Sequence, residues 1–236
     1  MITRTRDYYW FTDLEAAKRQ AKAEGKPILS LRLLGNLSDE YSCANSRFFR
    51  VLFYANKQIN PLLRDKFVLH WSSERPVPVV TIDFGDGKKI KQTLTGNSAH
   101  YLLDDSGRPL DVLPGLYSPQ EFEKWLVAGE KLAANWKAES ITTREQSLQK
   151  WHKERMQAIW KEAALLNGNN DVWVQAQVDQ SLKNNPLIRT IEAIGNQPVI
   201  PASVAAPRAI AKRALERPLL NASNLFSTSP RVGNWA

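Results

Sequence analysis

The stretch EYSCANSRFFR, Glu40–Arg50, holds the only cysteine of the 236-residue chain, Cys43, with Ser46 three residues further on. The polar loop GNLSDEY (35–41) leads into it. After it Phe48, Leu52, Ala55, Ile59 and Leu62/Leu63 recur at intervals of three and four as far as about Arg64. That spacing predicts one helix from Ala44 onward, with Cys43 close to its N-terminus. Cys43 and Ser46 then sit together at the loop–helix junction, on the same face of the first turn.

Upstream, TDLEAAKRQAKAEGKP (12–27) reads as a helix. Thr12 with Glu15 forms a capping box, Leu14, Ala17 and Ala21 give the spacing, and Gly25 stands at the end. PILSLRLLG (27–35) has the apolar character of a strand. Downstream, KFVLHWS (66–72) is a second strand, and VPVVTIDFGDGKKIKQTLTG (77–96) is a hairpin with Gly-Asp-Gly at its tip. AHYLLDDSGRPLDVLPG (99–115) is a strand–turn–strand unit turning at Asp105-Ser106-Gly107. SPQEFEKWLVAGEKLAANW (118–136) is a helix with Ser118 as N-cap and Pro119 in its first position. After the initial helix the order is β-α-β-β-α, an α/β arrangement in which 28–34, 67–71, 101–104 and 110–113 are expected in one sheet.

From about residue 138 the character changes. A long helix runs over 142–167, capped by Thr142 with Glu145 and stopped near Gly168, and NDVWVQAQVDQSLKNN (170–185) suits another. The remainder alternates proline-punctuated extended pieces with a short helix around Ala205–Leu215 and has little that could form a core. Residues 138–236 are therefore expected to be a helical and extended arm rather than a second globular domain. On the 142–167 helix, Leu148, Ile159, Ala163 and Leu166 form one stripe, while Trp151 and Trp160 stand nine residues apart, about half a turn around the axis. A helix apolar on two sides is buried on both or meets a partner, which makes Trp151 and Trp160 candidate partner-binding residues.

Composition limits the chemistry. The chain is 43% hydrophobic with a mean hydropathy of −0.41, and no apolar run approaches the roughly 18 residues of a membrane span. The N-terminal MITRTRDYYWFTD lacks the apolar block of a secretory signal. The expected location is cytoplasmic, or periplasmic if a signal precedes the numbered chain. One cysteine excludes an internal disulfide and a cysteine zinc cluster, and His70, His100 and His152 show no ligand spacing, so no metal and no cofactor is expected. The net charge of +8 favours acidic partners. Positive charges are nevertheless interleaved with acids and dense only in 87–91 and 207–218, with no nucleic-acid motif, which describes a basic, solvated surface without a specific nucleic-acid partner.

EGKPILSL, Cys43-Ala44-Asn45-Ser46, DKFVLHW, YLLDDSGRPLDVLPG and PQEFEKWL, in this order, resemble a thioredoxin-like domain, especially its bacterial branch, over about residues 8–137. The resemblance implies a mixed sheet flanked by helices and a thiol–disulfide oxidoreductase ancestry. In that family a thiolate at a helix N-terminus attacks, and a second thiol three residues on resolves the mixed disulfide. Cys43 falls on the first position and Ser46 on the second, giving a C-x-x-S site. Ser42 replaces the usual aromatic neighbour, ILSL carries no buried acid, and Ser98 or Ala99 stands where relatives place a cis-proline against the substrate. A trans peptide is expected there, since a non-proline cis bond costs about 2.5–4 kcal/mol. Asp39 and Glu40 oppose a thiolate at Cys43, and Arg47 and Arg50 favour one only if they reach back to the sulfur. Two functions follow: a non-catalytic or weakly redox-active interaction subunit that grips a protein partner through 138–236, or a monothiol oxidoreductase using Cys43 with an external thiol as resolver.

Overall fold

The structure, a computed structural model, describes residues 2–5, 8–39, 42–93 and 98–183. The short helix expected around Ala205–Leu215 and the proline-rich end of the arm lie outside these residues, as does Glu40. In chain order the elements are β1 (Ile2–Thr5), β2 (Tyr8–Phe11), α1 (Leu14–Glu24), β3 (Ile28–Leu34), α2 (Ala44–Phe48), a π-helical turn (Phe49–Phe53), α3 (Ile59–Lys66) and β4 (Val68–Arg75). They continue with β5 (Val79–Asp83), β6 (Lys89–Thr93), β7 (Ser98–Leu103), β8 (Pro109–Pro114), α4 (Pro119–Ala138), α5 (Ile141–Asn167) and α6 (Asp171–Lys183). The described residues divide into two compact units, one up to Arg144 and one from Glu145.

The first unit is a mixed α/β layer structure. Its six-stranded sheet has the order β1-β2-β4-β3-β7-β8, with β2, β4 and β3 mutually parallel and β7 and β8 antiparallel. The four segments expected in one sheet are all in it. β3 is central and buried over six of its seven positions, which is why it reads as a continuous apolar run. β1 and β2 form an N-terminal hairpin whose second strand pairs Trp10 with Leu69 and Phe11 with His70. Sequence reading did not assign these strands, because YYWF carries aromatic β-formers without alternation.

α4 covers the sheet with Phe122, Trp125, Leu126 and Leu132 buried. Its Gly129 permits close approach, since a Cβ there would stand 3.1 Å from Leu102 Cδ2. Lys66 of α3 pairs with Glu130 of α4 at 2.8 Å. Phe53 stacks on Phe122 with ring centres 4.4 Å apart, and Phe49, Tyr54, His100 and Trp10 extend the aromatic core.

Three local expectations are corrected. The N-cap of α1 is Asp13, not Thr12: its Oδ1 accepts the Ala16 N–H at 2.6 Å, because Asp13 directly precedes the first helical residue. Gly25 ends α1 as expected, in the left-handed conformation at φ 68°. Asp13→Ala should therefore cost about 1 kcal/mol in urea unfolding.

The single helix expected from Ala44 to Arg64 is broken into α2, the π turn and α3. Pro61 cannot occupy a helix interior without losing a hydrogen bond and clashing one turn back, so it falls in the first turn of a new helix. Asn56 forms the turn that leads into that helix, its Oδ1 accepting the Gln58 and Ile59 N–H groups at 2.8 and 3.3 Å. Before the break, Tyr54 N–H bonds Phe49 C=O at 2.8 Å, an i→i+5 closure that adds one residue to the turn. The apolar phase shifts with it: Phe49 and Phe53 are buried, and Leu52 is 46% exposed.

The α5 helix begins at Ile141, ahead of the expected Thr142 cap, with the Ser140 carbonyl accepting the Thr143 and Arg144 N–H groups. In the second unit, α5 and α6 meet through Trp160, Ala164 and Val174, with Met156 and Trp173 packed beside them.

Candidate functional site

The loop after β3 and the start of α2 hold the C-x-x-S residues. Cys43 occupies the N-cap position of α2 with extended dihedrals, and its side chain makes no capping bond. Cys43, Ser42 and Ser46 are all 0% exposed. The Cys43 carbonyl accepts the Ser46 N–H at 3.0 Å and the Ser46 hydroxyl at 3.0 Å. Ser46 is thus used as a local backbone tie.

Ser98 opens β7 opposite this loop, pairing with Leu33, and its carbonyl accepts the Gly115 N–H at 2.7 Å. Ala99 follows it, half-buried. Among the described residues no peptide bond is cis. Asn45, the residue before Ser46, donates its Nδ2 to the Ser98 Oγ at 2.9 Å, and both side chains are buried. This bond joins the cysteine loop directly to the head of β7.

Arg50 does reach back, but to the loop: its Nη2 donates to the Asp39 carbonyl at 3.0 Å and to the Ser42 hydroxyl at 3.3 Å. Thr93, at the end of the β5–β6 hairpin, donates its hydroxyl to the Ser42 carbonyl at 3.4 Å. Arg47 is exposed. Hydrogen bonds from three directions therefore hold the loop around a sulfur that has no solvent contact. Nucleophilic attack on a disulfide needs an accessible thiolate, and this closed geometry does not present one.

Three ionisable groups are buried in the sheet, of which the sequence reading took up only the histidines, as residues without ligand spacing. His70 on β4 bonds through Nδ1 to Ser30 Oγ of β3 at 2.7 Å. Burial pushes His70 down to about 4, with Asp13 opposing and Arg32 adding to the shift. His100 on β7 is fully buried, bonded through Nε2 to the Tyr54 hydroxyl at 2.8 Å, and burial alone pushes it down to about 3. Asp111 on β8 is 1% exposed; its carboxylate accepts the Trp125 Nε1–H at 2.9 Å and the Val112 N–H at 2.8 Å. Asp111 had a readable signal, a lone charge inside the apolar strand PLDVLP. The histidines had none beyond their strand positions.

Of the two tryptophans, Trp160 is buried against Trp173 in an edge-to-face contact with centres 5.5 Å apart, and Trp151 is half-buried. A cleft at the opposite end of the first unit is lined by Gly25, Lys66, Asp104, Glu130, Trp136 and Arg144. Its charges have structural uses: Lys66 pairs with Glu130, Asp104 accepts the Trp136 Nε1–H, and Arg144 donates to the Lys137 and Glu139 carbonyls. Among the described residues no group of three or more His, Cys, Asp or Glu side chains could hold a metal ion, and no helix is long and apolar enough to cross a membrane.

Fold and site thus define a mixed α/β protein with a helix-flanked mixed sheet and a closed serine- and cysteine-bearing loop. No protein-family model matches the chain, and no curated protein does.

Proposed function

We propose that this chain is a thioredoxin-like protein whose redox site is degenerate, and that it serves as an interaction or assembly subunit. The strand order β2-β4-β3-β7-β8, parallel over the first three and antiparallel over the last two, supports the thioredoxin-like reading. So does the placement of Cys43 at a helix start after the central strand, opposite the head of β7. The observation that carries the non-catalytic reading is the burial of Cys43 behind the Asn45–Ser98 bond. Where a thioredoxin presents a groove and a proline platform to its client, this chain joins the two walls with its own side chains.

An interaction role for the arm draws support from its described helices, which carry Leu165 at 82% and Val172 at 76% exposure. Large apolar side chains so open to solvent suit contact with another protein.

An insulin-reduction assay tests the reading. The wild-type chain should give no turnover above the dithiol reductant alone. Ser46→Cys should add little activity, because the Asn45–Ser98 closure and the missing proline platform remain. Robust turnover by the wild-type protein would overturn the proposal in favour of a monothiol oxidoreductase.

A further inference from the structure

The β5–β6 hairpin leaves the main sheet after β4, returns to it at β7 and forms a two-stranded sheet of its own. Pro76 and Pro78 stand between β4 and β5 and have no N–H, so the β4 ladder cannot run on into β5. Every residue from 81 to 89 is exposed. A two-stranded ribbon by itself is marginally stable in water, so its position depends on how its base is seated.

The two sides of that base meet the chain at one place, the loop that leads to Cys43. Thr93, the last residue of β6, donates its hydroxyl to the Ser42 carbonyl at 3.4 Å. On the other side, a Cβ at Gly35 would stand 3.1 Å from Val77 Cγ1 and 3.7 Å from Ser42 Cα, so Val77 and Ser42 close on Gly35 together. Gly35 opens the loop in the left-handed conformation, at φ 78°, and a side chain there would push Val77 away. The remaining ties differ in origin. Ser46 and Arg50, which hold the Cys43 carbonyl and the Ser42 hydroxyl, belong to the segment that directly follows the loop. Asn45 fastens that segment to β7, and the hairpin base fastens Ser42 itself.

We propose that the hairpin is a strap on the cysteine loop. With its base seated the loop is shut; when the base lifts, Ser42 and Cys43 open to solvent while the six-stranded sheet stays folded. Lifting costs one hydrogen bond, at the long end of the usual range, and the packing of Val77 on Gly35. It breaks no rung of the main sheet, because among the described residues the hairpin pairs with none of its strands. The inference rests on the burial of Cys43 that carries the proposed function, and it assigns control of that burial to a segment remote in sequence from the C-x-x-S residues.

Maleimide labelling of Cys43 in the folded full chain, read beside amide hydrogen exchange, tests it. Thr93→Val keeps the shape of the side chain and removes the donor, and should raise the labelling rate about threefold. Replacing residues 77–93 by a short Gly-Ser turn should raise it at least about tenfold, with the β3 and β4 amides as protected as in the wild type. An unchanged rate in both variants would overturn the strap and leave the non-catalytic reading standing, because Cys43 would still be shielded. A rise that comes with lost protection in β3 and β4 would also overturn it, since the hairpin would then be part of the core. Labelling of the wild-type protein at the rate of an exposed thiol would instead remove the burial on which both readings rest.

Discussion

Taking the protein from pH 7 to pH 5 is expected to remove about 4 kcal/mol of folding stability, about 2 kcal/mol for each of two buried histidines. His70 and His100 are held neutral in the folded chain, with values pushed down to about 4 and about 3, and burial is the largest cause for both. The unfolded chain titrates them at the ordinary 6.5. Above that pH neither state gains a proton, and the full stability is present. As pH falls below 6.5 the unfolded chain takes up protons that the folded chain refuses until about pH 4 or lower. Stability is therefore lost on acidification, and the loss flattens only beneath the folded values.

Small domains have only about 5–15 kcal/mol to lose, so the urea midpoint should move visibly. His70→Gln, which can keep a hydrogen-bonding partner for Ser30, should remove about half of the slope between pH 6 and 5. Proton NMR of the two imidazole rings should show little titration down to about pH 5. A urea midpoint unchanged between pH 7 and 5 would contradict the account, since most carboxylates stay ionised over that interval.

The parts of the fold that sequence reading reached are those where one local rule acts alone. β3, β4, β7 and β8 are apolar runs bounded by turn residues, and α4 announces itself with Ser118 and Pro119, whose cap bond to the Glu121 N–H is present at 3.2 Å. The reading failed where two rules compete. Between Ala44 and Arg64 the apolar period predicts one helix, and the steric rule at Pro61, which that period leaves out of account, is the stronger. The π closure at Phe49–Tyr54 then moved the buried phase by one residue, which no fixed period can anticipate. β2 was missed because all of YYWF is β-forming, so it shows no alternation to detect. At the site, the spacing of Cys43 and Ser46 was legible, but their burial was not. Asn45 meets Ser98 across 53 residues of sequence, and nothing local in either residue encodes that bond.

That contact leads to the strongest expected effect at the site itself. In the native protein Cys43 should react with a maleimide at least about a thousandfold more slowly than in the urea-unfolded chain. A sulfur without solvent contact reacts only through transient opening, and the suppression equals the fraction of time the loop is open. Thr93 and Ser46 tie the Ser42 and Cys43 carbonyls, Arg50 holds the Ser42 hydroxyl, and Asn45 joins the loop to Ser98 by a buried side-chain bond. Replacing Asn45 by alanine removes that tie and leaves the Ser98 hydroxyl without this donor, a change of about 1–1.5 kcal/mol, so the alkylation rate should rise about tenfold. If the bond acts as a local lock, the rate rises by more than the loss of global stability in urea explains, because the loop opens without the sheet. If the two changes coincide, Cys43 is exposed only by global unfolding, and the Asn45–Ser98 bond is part of the core rather than a closure over a site. Rapid labelling of the wild-type protein at the rate of an exposed thiol would remove the basis for both alternatives, together with the non-catalytic reading that rests on the burial of Cys43.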